Sequence, residues 1–225
     1  MLGGYFIWYL PRLKEVTIPG TVGKIEDYHL CDGNIESVTI PASVGEIGEN
    51  AFRGCGNLTR IKLPDGLEEI GLGAFEGSGL ESITTPPSTR VIRQSAFGAC
   101  RSLQRAVLNE GLEMLGSNEY RDDGRPCWGI FGHSALERVE LPSTLKIIEY
   151  GAFEGCESLE NVELPEGLEA IADNAFRGSG LERTTLPASL RKVAQGAFSA
   201  CESLRTARFC EGLEVLGTDE RKDNQ

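Results

Sequence analysis

Thiols are the most reactive groups that recur in this sequence, and a regular series of cysteines can mark disulfides, a metal centre or a nucleophile. Five of the seven cysteines lie three residues after an aromatic side chain. These five are Cys31, Cys55, Cys100, Cys156 and Cys201. In intervening segments of the same pattern the place is taken by Ser78, Ser134 and Ser179. A position that accepts either residue is predicted to be small and semi-buried, rather than half of a disulfide.

The other candidates for catalysis are weaker. His29 and His133 lie beside predicted core aromatics in two different segments, and we expect both to face solvent. The sequence has no C-x-x-C pair, no G-x-S-x-G motif, no phosphate-binding loop and no cysteine–histidine pairing with an orienting residue. The glutamates of the string EGLE recur once per coil, which is typical of residues along a solvent-exposed edge rather than of a catalytic site. We therefore predict no enzymatic activity, cofactor or metal.

The bulk composition is that of a folded globular chain, with 40% hydrophobic and 25% charged residues in 225. The net charge of −12 argues against nucleic acid or an anionic membrane as the main partner. No apolar run approaches the ~18 residues of a membrane span, so we predict no membrane insertion. The opening string MLGGYFIWYLPRLKE has neither a basic n-region nor a small-residue cleavage site, and no signal peptide is predicted.

The cysteines and histidines belong to a sequence repeat of 22 to 23 residues, and the structure of this repeat must determine their positions. Segments that open like a strand begin at Leu13, Ile35, Leu58, Leu80, Leu103, Leu136, Leu159, Leu181 and Leu204. Their successive spacings are 22, 23, 22, 23, 33, 23, 22 and 23 residues. This period falls within the range of leucine-rich repeats and is shorter than that of ankyrin or tetratricopeptide arrays. Residues 1–225 are therefore predicted to form a single solenoid of about nine coils.

Each repeat predicts one coil with a strand, a turn and a short aromatic segment. In the repeat that begins at Leu58, Ile61 and Leu63 alternate with polar residues, which is the period of a strand with one buried face. Pro64 ends this strand because it has no N–H to donate. The string GAFEGSG is too short and glycine-rich for a full helix, and predicts one helical or 3-10 turn that carries Phe75 into the core.

Stacking of the coils is required because no coil can bury its apolar set alone. The predicted fold is a β-rich repeat solenoid with one parallel strand per coil, about 4.8 Å apart along the concave side. The stacked phenylalanines are predicted to form a spine. An alternation of strands and full helices is excluded, because the segments between strands are too short and are interrupted by glycine.

Two strings point to a known family. IPASVGEIGENAFRGCGNL (40–58) and LPSTLKIIEYGAFEGCESL (141–159) resemble the BspA-like, or Treponema pallidum-type, leucine-rich repeats, and the resemblance covers almost the whole chain. It implies a right-handed, curved superhelix that serves adhesion and protein binding on cell surfaces, with no catalytic residues. We expect a cytoplasmic location for the sequence as it stands, and a cell-surface location if it is a piece of a longer family member.

The outward strand positions define the predicted concave binding face. Its charged candidates are Arg60, Lys62, Arg105, Arg138, Glu140, Glu163, Arg183 and Arg208. With Glu15 the face carries six basic and three acidic residues, or +3, so that the rest of the chain carries −15. This basic stripe favours an acidic peptide or protein as partner, although the face lacks aromatic anchors. The open alternative is a set of solvated strand residues without a ligand.

A longer repeat of 101 residues is superimposed on the coils. LEEIGLGAFEGSGLE (67–81) matches LEAIADNAFRGSGLE (168–182), and GLEMLG (111–116) matches GLEVLG (212–217). An insert, SNEYRDDGRPCW (117–128), follows the first GLEMLG string, and the final residues TDERKDNQ resemble the start of another insert after GLEVLG. The chain is therefore predicted to be a piece of a longer array or a truncated gene product. Open strand edges at its ends predict possible end-to-end self-association.

The insert is another, weaker candidate for partner contact. Loops longer than the local norm are often functional, and Tyr120 and Trp128 are the predicted anchors. Asp122 and Asp123 beside Gly124 raise the question of calcium, but their spacing does not match an EF-hand loop. A plain surface loop remains the alternative.

Overall fold

Two columns of parallel strands build the coils. The structure is a computed structural model that describes residues 12–116, 128–209 and 211–217. The long strands are β1 (Glu15–Thr17), β3 (Ser37–Thr39), β6 (Ser82–Thr84), β8 (Arg105–Val107), β10 (Arg138–Glu140), β13 (Arg183–Thr185) and β15 (Thr206–Arg208). The short strands are β2 (Lys24–Ile25), β4 (Glu46–Ile47), β5 (Glu69–Ile70), β7 (Val91–Ile92), β9 (Met114–Leu115), β11 (Ile147–Ile148), β12 (Ala170–Ile171), β14 (Lys192–Val193) and β16 (Val215–Leu216). The predicted fold class, a parallel repeat solenoid, is confirmed.

The register of the strands follows the sequence period. Val16 of β1 pairs with Val38 of β3, 22 residues later. At the long spacing, Ala106 of β8 pairs with Val139 of β10, so the insert leaves the register of the long strands unchanged. The short strands instead form separate sheets of five and four strands, divided between β9 and β11, where the insert lies.

The aromatic segment supplies a third set of bonds between coils. Phe52 N donates to Ala74 O at 2.7 Å, and Phe97 N donates across the insert to Ile130 O at 2.9 Å. Local turn bonds alternate with them, such as Arg53 N to Asn50 O at 3.1 Å. Because every second N–H turns to the neighbouring coil, the predicted helical turn is present only as single turns, and no helix occurs in the described part of the chain.

The phenylalanine spine is present as predicted. Seven rings stack with centroids 5.1 to 5.6 Å apart. They are Phe52, Phe75, Phe97, Phe131, Phe153, Phe176 and Phe198. The spine and its bonds continue past the insert, so this side of the solenoid holds the two 101-residue blocks together.

The long-strand column is interrupted twice, at residues 60–62 and 161–163, where no strand is formed. Where the column is intact, Ile18 N of one coil donates to Thr39 O of the next at 3.0 Å. At the interruptions the equivalent N–H groups have no backbone acceptor among the described residues; they belong to Ile40, Leu63, Leu141 and Leu164. The expected single sheet is therefore divided into sheets of two, three and two strands.

Both interruptions occur at the same place in the 101-residue block and share one sequence feature. Each follows a four-residue C-x-x-L turn and precedes a proline, Pro64 in one coil and Pro165 in the other. The other two coils with this turn have Asn109 and Cys210 at the proline position, and their long strands, β8 and β15, are paired. Only the combination of turn and proline coincides with loss of the strand.

Candidate partner-binding face

The outward side chains of the long strands and of segments 60–62 and 161–163 are named here the long-strand face. All eight charged residues predicted for it are exposed. The inward neighbours are buried in the middle coils, as Ile83 and Val139 are, and half-buried at Val16 and Val38, so the period-2 alternation places the charges outside. The sequence therefore predicted correctly that these side chains face outward, and their role in binding stays a prediction.

Ion pairing divides the six basic residues of this face into two groups. Arg105 pairs with Glu140 at 2.6 Å, and Arg60 lies 3.8 Å from Glu81. The other four form no ion pair within the described chain, and they are Lys62, Arg138, Arg183 and Arg208. Their charge is thus available to a partner.

Most cations elsewhere on the described chain form an ion pair with a glutamate of a neighbouring coil. Lys24 pairs with Glu46 at 2.7 Å across neighbouring short strands. Arg93–Glu69 (2.5 Å) and Lys146–Glu169 (3.1 Å) likewise join residues in or beside neighbouring short strands, and Arg177–Glu154 (2.6 Å) joins the aromatic segments of neighbouring coils. Exposed pairs of this kind contribute little to stability, but they cancel the local charge. The unpaired cations of the long-strand face therefore stand out in a chain of net charge −12.

Each interruption of the long-strand column adjoins a cleft. The first cleft, about 350 Å³, lies between Thr39 and Lys62. The other, about 580 Å³, lies between segment 161–163 and β13, and we call it the open-coil cleft. Val162 and Leu164 are only half-buried there. Each cleft thus lies beside backbone N–H groups that have no backbone acceptor among the described residues, and beside partly exposed apolar side chains.

A third cleft lies between β13 and β15 and is named the arginine cleft. It measures about 370 Å³, and its lining is Arg183, Arg205, Arg208, Glu182, Thr184, Thr185 and Thr206. Arg205 has no ion pair among the described residues, like Arg183 and Arg208. Arg205 was not among the residues predicted for the long-strand face, because it immediately precedes β15 and is not an outward strand position.

A buried hydroxyl adjoins the arginine cleft. Thr184 occupies the inward position of β13, where the other coils have valine, isoleucine or alanine. Its Oγ1 is buried without a hydrogen-bond partner in the described structure. A buried hydroxyl without a hydrogen bond lowers the stability of the fold by about 1–3 kcal/mol. Thr184 therefore makes β13 a less stable part of the long-strand column than the strands with an apolar inward residue.

The insert lies largely outside the described residues, including Tyr120, Asp122 and Asp123. Trp128 is half-buried, and its ring contacts His133 edge-on with centroids 4.5 Å apart. The two rings line a shallow cleft of about 480 Å³. Partner contact by the insert stays a prediction.

Exposed apolar side chains lie at two places on the coils. Met114 and Ile147, 42% and 43% exposed, flank the division between β9 and β11. Phe209 and Leu216, 51% and 63% exposed, lie on the last described coil. The predicted end-to-end association stays a prediction.

The two histidines do not share a site. His133 is exposed, as expected, whereas His29 is half-buried beside an apolar cleft that includes Val16 and Val22. No group of three or more metal-ligating side chains lies close enough to hold an ion in the described ranges. Over those ranges there is also no helix with the length and apolarity needed to cross a bilayer.

The cysteine series is structural. All five thiols are free, and four of them are buried, more deeply than the semi-buried position expected. Cys100 Sγ donates to Phe75 O of the preceding coil at 3.0 Å and contacts Ser78 Oγ at 3.4 Å. The serine hydroxyl of one coil thus contacts the cysteine thiol of the next coil beside the spine, as Ser134 contacts Cys156 and Ser179 contacts Cys201. This position therefore accepts either of the two small polar side chains.

Native thiols are expected to resist alkylation at pH 8. Burial raises the pKa of Cys55 and Cys156 to about 12 and that of Cys100 to about 11, and the thiolate is the reactive form. Iodoacetamide followed by peptide mass mapping should modify these three only after unfolding in urea. Equal labelling rates with and without urea would contradict this.

The same shifts predict a pH dependence of stability. The folded pKa values exceed the ordinary 9.0 of an unfolded thiol, so from pH 9 upwards the unfolded chain releases protons that the folded chain retains. The free energy of unfolding should therefore fall as pH rises from 9 towards 12.

The geometry now defines the class of this protein. Two columns of parallel strands, a 22- to 23-residue period and a spine of stacked phenylalanines are those of a leucine-rich-repeat solenoid. The chain belongs to the family described as "BspA type Leucine rich repeat region (6 copies)", which matches residues 23–123 and 129–220. The resemblance inferred from the coil motif is confirmed.

Solved structures of similar proteins come from several bacteria. A leucine-rich repeat protein from Bacteroides ovatus is 30% identical with a TM-score of 0.71, over 89% of this chain and 54% of that one. A leucine rich cell surface protein from Faecalibacterium prausnitzii is 26% identical with a TM-score of 0.54, over 92% and 60%. The T. pallidum leucine rich repeat protein is 25% identical with a TM-score of 0.52, over 92% and 75%. This chain thus spans little more than half the length of the first two, and no curated protein matches it.

Proposed function

We propose that this chain is a non-enzymatic, protein-binding solenoid that contacts an acidic peptide or protein through its long-strand face. The observation that carries the proposal is the unpaired charge of Lys62, Arg138, Arg183 and Arg208. Cations on the other sides are mostly matched by glutamates one coil away, whereas these four are exposed and have no ion pair among the residues that the structure describes. Complementary charge on a partner would steer the encounter and fix its orientation.

The fold supports the same surface. Repeat solenoids bind partners along extended faces built from equivalent positions of successive coils. Here most of the equivalent positions are strand residues backed by a buried core, whereas Lys62 lies in segment 60–62, where no strand is formed. The contact would be wet and polar, because the face lacks aromatic anchors.

Affinity capture with two charge-reversed variants tests the proposal. The face variant changes Lys62, Arg138, Arg183 and Arg208 to glutamate. The matched control changes Lys24, Arg90, Lys146 and Arg191 to glutamate, which alters the net charge equally on the short-strand side. Thermal melting establishes that both variants fold.

The expected result is a partner retained by the wild type and the control but lost by the face variant. A partner retained equally by all three chains would refute the use of this face. If the face variant and the control both lost the partner, the interaction would depend only on the net charge of the chain. This result would also refute the use of the long-strand face.

A second candidate function is a structural or adhesive segment of a longer cell-surface repeat protein. The similarity to the F. prausnitzii cell surface protein, of which this chain covers 60%, favours it. Sequencing of the complete gene separates the two candidates. A secretion signal together with a membrane or wall anchor would support adhesion, and the lack of both would support an intracellular binding module.

A further inference from the structure

We infer that the arginine cleft binds a phosphorylated side chain of an extended peptide in the partner protein. This inference rests on the proposed function and assigns its ligand chemistry to one end of the long-strand face. Three guanidinium groups, Arg183, Arg205 and Arg208, line one cleft with a single carboxylate, Glu182. The local charge of +2 occurs in a chain whose net charge is −12.

The number of guanidinium groups favours a phosphate over a carboxylate. Arginine presents a planar fork of donors that matches phosphate and carboxylate oxygens in pairs. One such fork suffices for a carboxylate, whereas a phosphate monoester carries close to two charges and three acceptor oxygens. Thr185 and Thr206 add hydroxyl donors to the same lining. Three unpaired forks with two hydroxyls therefore complement a doubly charged oxyanion.

The neighbouring open-coil cleft favours a peptide as the carrier of this phosphate. It shares Arg183, Thr184 and Thr185 with the arginine cleft, so the two clefts lie side by side along β13. Its other wall is segment 161–163, where the ladder of the long strands is broken and Leu164 N has no backbone acceptor among the described residues. Main-chain donors and acceptors of an extended peptide can bond to such a segment, as in strand addition. A sulfated sugar offers no such alternation of donors and acceptors.

The apolar floor agrees with an extended peptide. Val162 and Leu164 are half-buried in the open-coil cleft, and an extended peptide turns every second side chain towards the surface that it covers. We therefore expect apolar side chains two residues apart near the phosphorylated residue.

Fluorescence polarisation with defined peptides tests the inference. The probe is a fluorescein-labelled nine-residue peptide with phosphothreonine at its centre, valine two and four residues to either side, and threonine at the other positions. The same peptide with threonine or glutamate at the centre provides the comparison, and a sulfated heparin oligosaccharide provides a non-peptide anion. We expect the phosphopeptide to bind at least tenfold more tightly than the threonine peptide, and more tightly than the glutamate peptide.

Two triple variants locate the site. Arg183→Gln, Arg205→Gln and Arg208→Gln together should weaken binding of the phosphopeptide at least tenfold. The matched control, Arg60→Gln, Arg105→Gln and Arg138→Gln, removes the same charge from the same face and should change the affinity less than twofold. Changing the three cleft arginines to lysine instead keeps the charge and removes the fork, and should give an intermediate loss. All substituted side chains are exposed, so the variants should fold.

Three outcomes would overturn the inference. They are equal affinity for phosphorylated and unphosphorylated peptides, equal loss in the two glutamine variants, and tighter arginine-dependent binding of the oligosaccharide, which would assign the cleft to a sulfated glycan. Partner loss in the face variant without any preference for the phosphopeptide would leave the proposed function standing and remove this inference alone. Selective phosphopeptide binding with partner capture unchanged in the face variant would refute the proposed function and leave only the affinity of the arginine cleft for phosphopeptides.

Discussion

Replacing Phe153 with alanine is expected to lower the free energy of unfolding by about 3–5 kcal/mol. Its side chain is fully buried, and its ring stacks on Phe131 at 5.6 Å and on Phe176 at 5.1 Å. The main chain on both sides is bonded to neighbouring coils, including Phe153 N to Ala175 O at 2.7 Å. The coils cannot close in to fill the cavity without breaking those bonds, so most of the cost should persist.

The last ring of the spine provides the control for Phe153. Phe198 stacks on one described ring, Phe176 at 5.3 Å, and is only half-buried. Phe198→Ala should therefore cost less than half as much as Phe153→Ala. Urea unfolding followed by circular dichroism measures both, and similar losses at the two positions would mean that stacking within the spine does not determine stability.

Replacing Gly129 with alanine is expected to cost about 3 kcal/mol, at the upper end of the usual range for overpacking. A Cβ at this position would lie 1.5 Å from Gly151 O and 2.7 Å from Ala152 N. Both atoms belong to the main chain of the next coil, so no side-chain rotation can relieve the clash. Gly129 lies just after the insert, at the start of the coil that carries Phe131, and the coils must separate locally to admit a methyl group.

Gly56 is the matched control for this substitution. A Cβ there would meet no atom within 4 Å, and its backbone is not in the left-handed region. Gly56→Ala should change stability by less than about 0.5 kcal/mol, or raise it slightly by restricting the unfolded chain. If the thermal melts of the two alanine variants coincided, the close approach of the coils at Gly129 would be disproved.

Local pattern predicted most of the coil because each element depends on side chains that repeat in sequence. The alternation of Ile61 with polar neighbours indicated which side chains face outward, and the recurrence of phenylalanine predicted the spine. The exchange of cysteine for serine predicted a position without disulfides. The full burial of Cys100 and the hydrogen bond from its thiol to Phe75 O of the preceding coil were not predicted, because both depend on the distance between coils.

The candidate site was predicted only in outline. Arg105 and Arg183 were indistinguishable as outward strand residues, yet Arg105 is neutralised by Glu140 and Arg183 has no ion pair in the described chain. Arg205 was missed because the cleft that includes it is formed by two coils together. The interruptions at 60–62 and 161–163 were also missed, although their turn and proline are visible in the sequence, because each feature occurs alone in coils that pair normally.

The sequence by itself determined the period, the family, the inward and outward faces of the strands and the continuity of the spine. These properties follow from the order of side chains within one coil, and the same order recurs in every coil. The tertiary structure alone decided which cations remain unpaired, where the sheet opens and which clefts result. The physical reason is that ion pairs, ladder bonds and clefts join residues 21 or more positions apart, so they depend on how one coil lies against the next.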